Sequence, residues 1–562
     1  MLKKYLSLIL IVLITAPYGL SYTQQIDSSE SNLSGEQLEN YAREILQETS
    51  SMILSLGSPV NRISFTIQSA DVLWKVNEND ARSLYGSSIE DIKRLMNEIE
   101  IQSNQQSYNS ASAVSNRNSS SRSQANNFFT LRSNLLNSLA KYDPNWALAV
   151  LQETGQLFTN DRLKRRLERD NKRLESLIIK KIAENDPNKA IELGRQKLEK
   201  DVNYEVISLL TKIYQKDAAK GAEFGREIVE KLDAMNLENK HTWLVIRLFQ
   251  NGVKYAETAE TPLFENSEMR KLVELITEVI TQPKNKYRNM SDSVLSEIEK
   301  YDSNSAIRIR QVIEQRNSLR TSRNNRNSQR QKTVSDWEKR RNERRQTQQN
   351  LSETLSKLNS EDSGDDEKNQ TILEEARRKI MAVNDDEYRF KNLVSLAIRA
   401  ANLGEQTSAG TILTEAENFT SRNLQEKKDF SNYQKLAEAY ALIEPAKSFA
   451  IYEDMIYRLN SIIESYVRYM EFSGNRRAVD ANELMMNNYG SQFINYLKFS
   501  PNSLKSLAAS DFARTKDLAD KFNRPEVRIK VRLLMANAIL RASKMSGVQP
   551  PTLEKIIVTP KS

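Results

Sequence analysis

The chain has 562 residues, no cysteine and one histidine, with 82 Lys and Arg against 74 Asp and Glu, a formal net charge of +8. The absence of cysteine excludes disulfides, thiol nucleophiles and thiol redox chemistry. With a single histidine it also excludes Cys/His zinc sites. The length leaves ample core material for several domains or one long repeat array, and only 15 Gly and 12 Pro argue against a turn-rich β fold.

The chain opens Met-Leu-Lys-Lys, followed by an apolar run from Tyr5 to Ala16. That run is shorter than the roughly 20 residues that cross a bilayer. Small residues at Gly19 and Ser21 suit a signal peptidase, so residues 1–21 read as a cleavable signal peptide. No cysteine lies near the cut to carry a lipid anchor, and no later apolar stretch approaches membrane length. The expectation is an exported protein, periplasmic or secreted, with no transmembrane span after signal cleavage. A large exported chain without cysteine fits a bacterial source.

A first helix is expected from Ser34. Ser34 and Gln37 have the spacing of a capping box, and Leu38, Tyr41, Ala42, Ile45 and Leu46 follow at helical intervals. A junction then recurs five times: Leu73…Asn77…Ala81, Leu139…Asp143…Ala147, Ile182…Asp186…Ala190, Ile213…Asp217…Gly221 and Ile298…Asp302…Ala306. The aliphatic residue is read as the last core contact of one helix. The Asn or Asp four positions on is the N-cap of the next, and the small residue one turn further lets the two helices close together. Pro144 and Pro187 stand at the first helical position, where a missing N–H costs nothing. These are the marks of a degenerate two-helix repeat of roughly 30 to 45 residues. Weaker copies lie around Glu444-Pro445 and Asp511.

At the strings AKYDPNWALAVL and AENDPNKAIELG the chain resembles tetratricopeptide-like and HEAT-like helical repeats. ADVLWKVNENDARSLY resembles a pattern of exported bacterial helical-repeat proteins. The resemblance implies a stack of helix pairs used for protein contacts, and no catalytic activity.

Two stretches interrupt the pattern. Residues 102–126 are rich in Ser, Asn and Gln and are expected to be a disordered linker. Residues 303–350 hold thirteen Arg and Lys, from Arg308 to Arg345, against four acidic residues, so the positive charge of the chain is local. The acidic run Glu361-Asp362-Ser363-Gly364-Asp365-Asp366-Glu367 follows. The expected organisation is therefore a signal at 1–21, N-terminal hairpins at 34–101, the linker at 102–126 and a helical-repeat block at 127–316. A basic then acidic linker or helix at 317–370, a C-terminal helical block at 371–545 and a flexible tail at 546–562 complete it. The fold class is all-α, an α-solenoid-like array of antiparallel helix hairpins in two blocks.

No catalytic, cofactor-binding or metal-binding residue is assigned. His241, beside Trp243, reads as a helix-end histidine packing on its neighbours. Glu464-Ser465 faintly resembles the Glu-Ser pair of lytic transglycosylases but lacks the Gly-rich continuation, and an amphipathic helix explains it. The stretch Asn359–Asp365 has the flavour of a calcium loop. Asn359 opens it and Gln370 stands where a bidentate Glu is required, so an acidic linker is the expected reading. Residues 308–345 suit a solvated helix with its charge offset by the acidic run, or weak binding of anionic glycan or lipid head groups. Nucleic acid is not the expected partner, because only Trp337 interrupts the basic residues and the chain is exported. The aromatics Tyr440, Phe449, Tyr452, Tyr457, Tyr466, Tyr469 and Phe472 are read mainly as inter-helix core, with a peptide or sugar groove as the alternative. The functional expectation is a non-enzymatic scaffold that binds protein partners in the envelope. Its alternatives are a carboxylate-only glycan hydrolase and a polyanion-binding protein.

Overall fold

The structure, a computed structural model, describes residues 33–108, 114–321 and 366–545, apart from 156, 157, 159, 257–260, 284, 286, 288, 289, 421–423, 425, 476, 477, 487–489 and 495–498. The signal reading at 1–21, the tail at 546–562 and the calcium-loop-like stretch before Asp366 lie outside these residues. The described chain is all-α, with twenty-two α-helices and one β-hairpin of two-residue strands.

The first arm holds α1 (Gly35–Leu54), α2 (Pro59–Leu73), α3 (Glu78–Tyr108), α4 (Val114–Leu139), α5 (Pro144–Glu153), α6 (Asp161–Asn185) and α7 (Pro187–Lys200). It continues with α8 (Tyr204–Lys216), α9 (Ala218–Asp233), a 3-10 turn (Asn239–His241), α10 (Thr242–Ala256), α11 (Asn266–Thr281), α12 (Asp292–Tyr301) and α13 (Ser303–Thr321). The second arm holds α14 (Asp366–Met381), α15 (Asp386–Asn402), α16 (Gln406–Glu417), α17 (Lys427–Ile443) and α18 (Pro445–Phe472). Strands β1 (Val479–Asp480) and β2 (Glu483–Leu484) follow, then α19 (Ser491–Ile494), α20 (Pro501–Ser510), α21 (Phe512–Asp520) and α22 (Pro525–Met545).

Local chemistry sets the helix starts. The Ser34 hydroxyl accepts from the Gln37 N–H at 3.1 Å and the Gln37 side chain accepts from the Ser34 N–H at 2.8 Å, the reciprocal pair of a capping box. All five recurring junctions form one geometry. The N–H of Asn77, Asp143, Asp186, Asp217 or Asp302 closes the last turn of one helix on the carbonyl of Leu73, Leu139, Ile182, Ile213 or Ile298, at 2.7–3.0 Å. The same residue's side chain accepts from the first turn of the next helix. At Asp186 and Asp217 one residue is both the C-cap and the N-cap, so there is no loop. Glu444 and Asp511 repeat the backbone pattern, with N–H bonds to Tyr440 and Leu507.

The small residue after each cap has a steric reason. Ala81, Ala147, Ala190 and Ala306 have no exposed surface. A methyl group on Gly221 would overlap the main chain of Tyr214, lying 2.9 Å from its nitrogen. Successive copies also keep register. Arg166 bonds Asn126, Arg173 bonds Ser133 and Asn251 bonds Thr211, each pair 40 positions apart.

The order of helices in space differs from their order in the chain. One layer runs α15, α17, α20, α22, then α2, α4, α6, α8 and α10, each packed on the next. The described chain therefore begins and ends in the middle of this layer. α1 and α22 make the most extensive helix–helix contact among the described residues. α2 lies between two cores. Its Phe65 and Val72 join the core built from α1 and residues 372–542. Its Val60, Ile63, Ile67 and Ala70 join the core built from α3 to α13. Segment 34–101, expected as a unit of its own, is thus shared between the two cores.

Polar contacts hold this seam. Arg532, 5% exposed, donates to Glu48 of α1 at 2.6 Å and to both oxygens of Asp520. Lys516 donates to Glu44 and Glu48, and with Arg532 it holds the Glu48 carboxyl below the usual carboxylate range. Tyr41 stacks on Phe512 with ring centroids 3.8 Å apart. The β-hairpin grips the start of α2. Glu483 accepts from the Gly57 N–H at 2.5 Å and from Asn61 at 3.1 Å, while Ser58 donates to Asp480 at 2.9 Å. The hairpin turns on Ala481 and Asn482, both with positive φ, and Arg524 donates to the Asn482 carbonyl to hold that turn. No strand was expected from the sequence, because two-residue strands leave no alternating pattern to read.

The expected disorder at 102–126 is corrected in part. α3 extends to Tyr108 and α4 begins at Val114, so the described residues of this stretch are helical. Buried Ile99 on one side and Phe128 on the other anchor these helices. Once anchored turns exist, each added helical residue costs far less than starting a new helix.

These junctions predict their own sensitivity. Asp186→Ala should lower unfolding free energy by about 1 kcal/mol, as loss of an N-cap does. Asp143→Ala should cost more, because Asp143 also accepts from Arg82 at 3.0 Å. Gly221→Ala should cost about 1–3 kcal/mol through overpacking. Denaturant melts of the three variants measure this, and unchanged midpoints would contradict the junction geometry.

Candidate functional site

The 28-residue helix α18 is set by the junction at Glu444, with Pro445 in its first turn. Its inner face carries Phe449, Tyr452, Met455, Ile456, Leu459, Ile463 and Val467, all buried. The hydroxyl of Ser448 reaches back to the Ala437 carbonyl at 2.7 Å and locks α18 onto α17. Tyr440 packs below it and donates to Glu417. Lys447 caps the phenol at 2.7 Å, with its ammonium 4.1 Å from the ring centre. Burial and the neighbouring Glu417 raise the Tyr440 pKa above that of an ordinary phenol.

The other face of α18 is uncovered by any described residue. Tyr457 is 73% exposed, Ile462 41%, Tyr469 62% and Phe472 91%. At about 100° per residue these four fall within roughly 140° of arc, which they share with Ser461, Ser465, Arg458 and Arg468, so they form a row of large apolar side chains interrupted by two arginines. Large apolar side chains gathered on one exposed face commonly mark a binding surface. The aromatics expected as core therefore divide by face. Tyr440, Phe449 and Tyr452 are buried, Tyr466 is half-buried against Phe493, and Tyr457, Tyr469 and Phe472 point outward. The helical spacing carried this division. Tyr457 and Phe472 lie off the positions that Phe449 and Tyr452 share with the core.

A second exposed pair lies in the first arm. Tyr204 opens α8 and Trp243 stands in the first turn of α10, with rings 5.5 Å apart and exposures of 56% and 47%. Lys180 of α6 sits 5.7 Å from the Tyr204 ring centre, and burial lowers its pKa. Sequence reading overlooked this pair, because its members are 39 positions apart and meet only through the repeat. Trp74 and Trp146 make a third aromatic group, but the Arg82 guanidinium already occupies their faces at 4.8 and 5.4 Å.

The remaining sequence candidates have structural partners. The Glu464 carboxylate faces Arg524 at 3.4 Å, and the Ser465 hydroxyl bonds the Ser461 carbonyl of its own helix at 2.8 Å. That geometry engages the carboxylate in the seam and the hydroxyl in its own helix. Of the basic stretch 308–345, Arg316 turns inward and donates to the carbonyls of Ile280, Gln282 and Tyr287, closing the end of α11. Its residues beyond Thr321 lie outside the described structure. His241 is buried at the start of α10, its Nδ1 accepting from the Glu238 N–H at 2.8 Å. Among the described residues no group of His, Asp or Glu gathers as a metal would need, and no helix is long and apolar enough to cross a membrane.

No family model matches the chain, and no curated protein matches it. Among solved structures, the chain is similar to a "circular tandem repeat protein with novel repeat topology and enhanced subunit contact surfaces". The two are 14% identical, over 90% of this chain and 98% of that one, with a TM-score of 0.14. At that score the likeness carries no argument.

The exposed row should be dispensable for folding. Tyr457→Ser, Tyr469→Ser and Phe472→Ser should each change unfolding free energy by no more than about 0.5 kcal/mol. Phe449→Ala, from the inner face, should cost about 3–5 kcal/mol. Equal losses from the two faces in denaturant melts would show that the row is core.

Proposed function

We propose that this chain is an exported, non-enzymatic scaffold of the bacterial envelope that binds a protein partner through the outer face of α18. The observation that carries the reading is the uncovered row Tyr457, Ile462, Tyr469 and Phe472 on a helix whose opposite face is fully packed. Aromatic residues bring large contact area at low entropic cost, which is why they dominate protein contacts. The row, with Arg458 and Arg468 along it, suits an amphipathic helix of the partner laid alongside α18, apolar on the side that meets the aromatics and acidic where it meets the arginines. Export is supported by the leader-like first 21 residues and by the lack of cysteine. The non-enzymatic part is supported by the shortage of catalytic side chains and by the engagement of Glu464 with Arg524.

The test is capture from the envelope fraction with the mature protein. Wild type should retain a discrete protein, and the triple variant Tyr457→Ser/Tyr469→Ser/Phe472→Ser, folded by circular dichroism, should lose it. Equal capture by both would overturn the assignment of the surface. Clearing of a peptidoglycan gel by wild type but not by Glu464→Gln would overturn the non-enzymatic reading.

A further inference from the structure

We propose that His241 makes the turn before α10 an acid-releasable joint in the helical array, beside the aromatic pair Tyr204–Trp243. His241 is the only histidine of the chain and is 2% exposed. It ends the single 3-10 turn between α9 and α10. Its main-chain N–H donates to the Glu238 carbonyl at 2.8 Å, and its Nδ1 accepts from the Glu238 N–H at 2.8 Å. An imidazole nitrogen that accepts carries no hydrogen. The ring is therefore neutral, with its hydrogen on Nε2, and that nitrogen has no partner among the described residues.

Protonation reverses this bond. A hydrogen on Nδ1 would face the Glu238 N–H, placing two donors against each other at hydrogen-bond distance. The charged groups acting on the ring are Lys240 and Glu238 of its own turn and Asp201 of the connector before α8. Lys240 opposes the cation, whereas Asp201 and Glu238 favour it. Burial is the strongest influence, and it lowers the ring's pKa below the usual imidazole value. The folded turn therefore prefers the neutral ring. Its stability is complete above the ordinary histidine pKa of about 6.5 and falls as pH drops from there through the lowered folded value.

Contacts that do not use the imidazole confine the release. Gln282 donates to the Leu237 carbonyl at 2.8 Å, and Asn285 donates to the buried Thr242 hydroxyl at 2.7 Å. The turn can open while α10 stays seated on α11. Trp243 follows Thr242 directly, and its partner Tyr204 belongs to the neighbouring repeat. The joint therefore abuts a contact between repeats. The inference stands apart from the α18 reading, because its signals need no partner.

Hydrogen exchange of the full-length mature protein at pH 7.5 and 5.5, corrected for intrinsic rates, tests it. Residues 236–245 should exchange faster at pH 5.5, by up to about tenfold, since that pH lies one unit below the ordinary histidine value, while α8 and α11 stay protected. His241→Gln should abolish the response. Glutamine at this position can accept the same Glu238 N–H, as in a capping box, and does not titrate. Equal protection at both pH values, or a His241→Gln variant that responds like wild type, would overturn the proposal. The imidazole resonance decides independently of any variant. A titration midpoint below about 6.5 supports the proposal, and one at or above that value refutes it.

Discussion

Arg532 reaches from the last of the described helices to the first. It is almost wholly buried, and it binds Glu48 of α1 and Asp520 of α21 at once. A buried guanidinium is costly unless its donors are met, so this arrangement fixes where α1 must lie once the C-terminal helices have packed. Around it, Lys516, the Tyr41–Phe512 stack and the grip of the β-hairpin on Gly57, Ser58 and Asn61 repeat the same message. Without this seam, α2 would lose the partners on one side, and both cores would end in uncovered apolar surface.

The seam changes what kind of array this is. A simple solenoid grows from its first repeat to its last, and its chain ends are its physical ends. Here the described chain ends meet inside the array, while α13 and α14, joined through residues 322–365, belong to the outer repeats of the two arms. The basic stretch begins within α13, and most of it, with most of the acidic run, falls in the sequence between α13 and α14. Each arm needs the other to complete the neighbourhood of α2. Nearest-neighbour packing is retained throughout, but contiguity in space has been separated from contiguity in sequence.

Much of the local structure was legible in the sequence. The caps at Asn77, Asp143, Asp186, Asp217 and Asp302, and the capping box at Ser34, follow from bonds within a few residues. Proline at 144, 187 and 445 and the small residues after the caps are equally local signals. The α18 row was half legible. Its aromatics were visible, but whether a neighbour covers Tyr457 or Phe472 is a tertiary matter. The seam was not legible, since Glu48 and Arg532 are 484 positions apart and neither breaks a local pattern. The meeting of Tyr204 with Trp243 was hidden for the same reason. The spacing also gave no warning that Glu464 would face Arg524, which belongs to a loop 60 residues further on.

The central claim is that the two arms are held together through α1, α2, α22 and the β-hairpin, independently of the covalent connection between α13 and α14. A protease recognition site placed within residues 322–365 of the full chain tests this directly. After complete cleavage, the two fragments should co-elute in size-exclusion chromatography at the mass of the intact protein and melt in one transition. Arg532→Glu, which places like charges beside Glu48 and Asp520, should make the cleaved arms separate. Dissociation of the cleaved wild-type protein into two species would contradict the account.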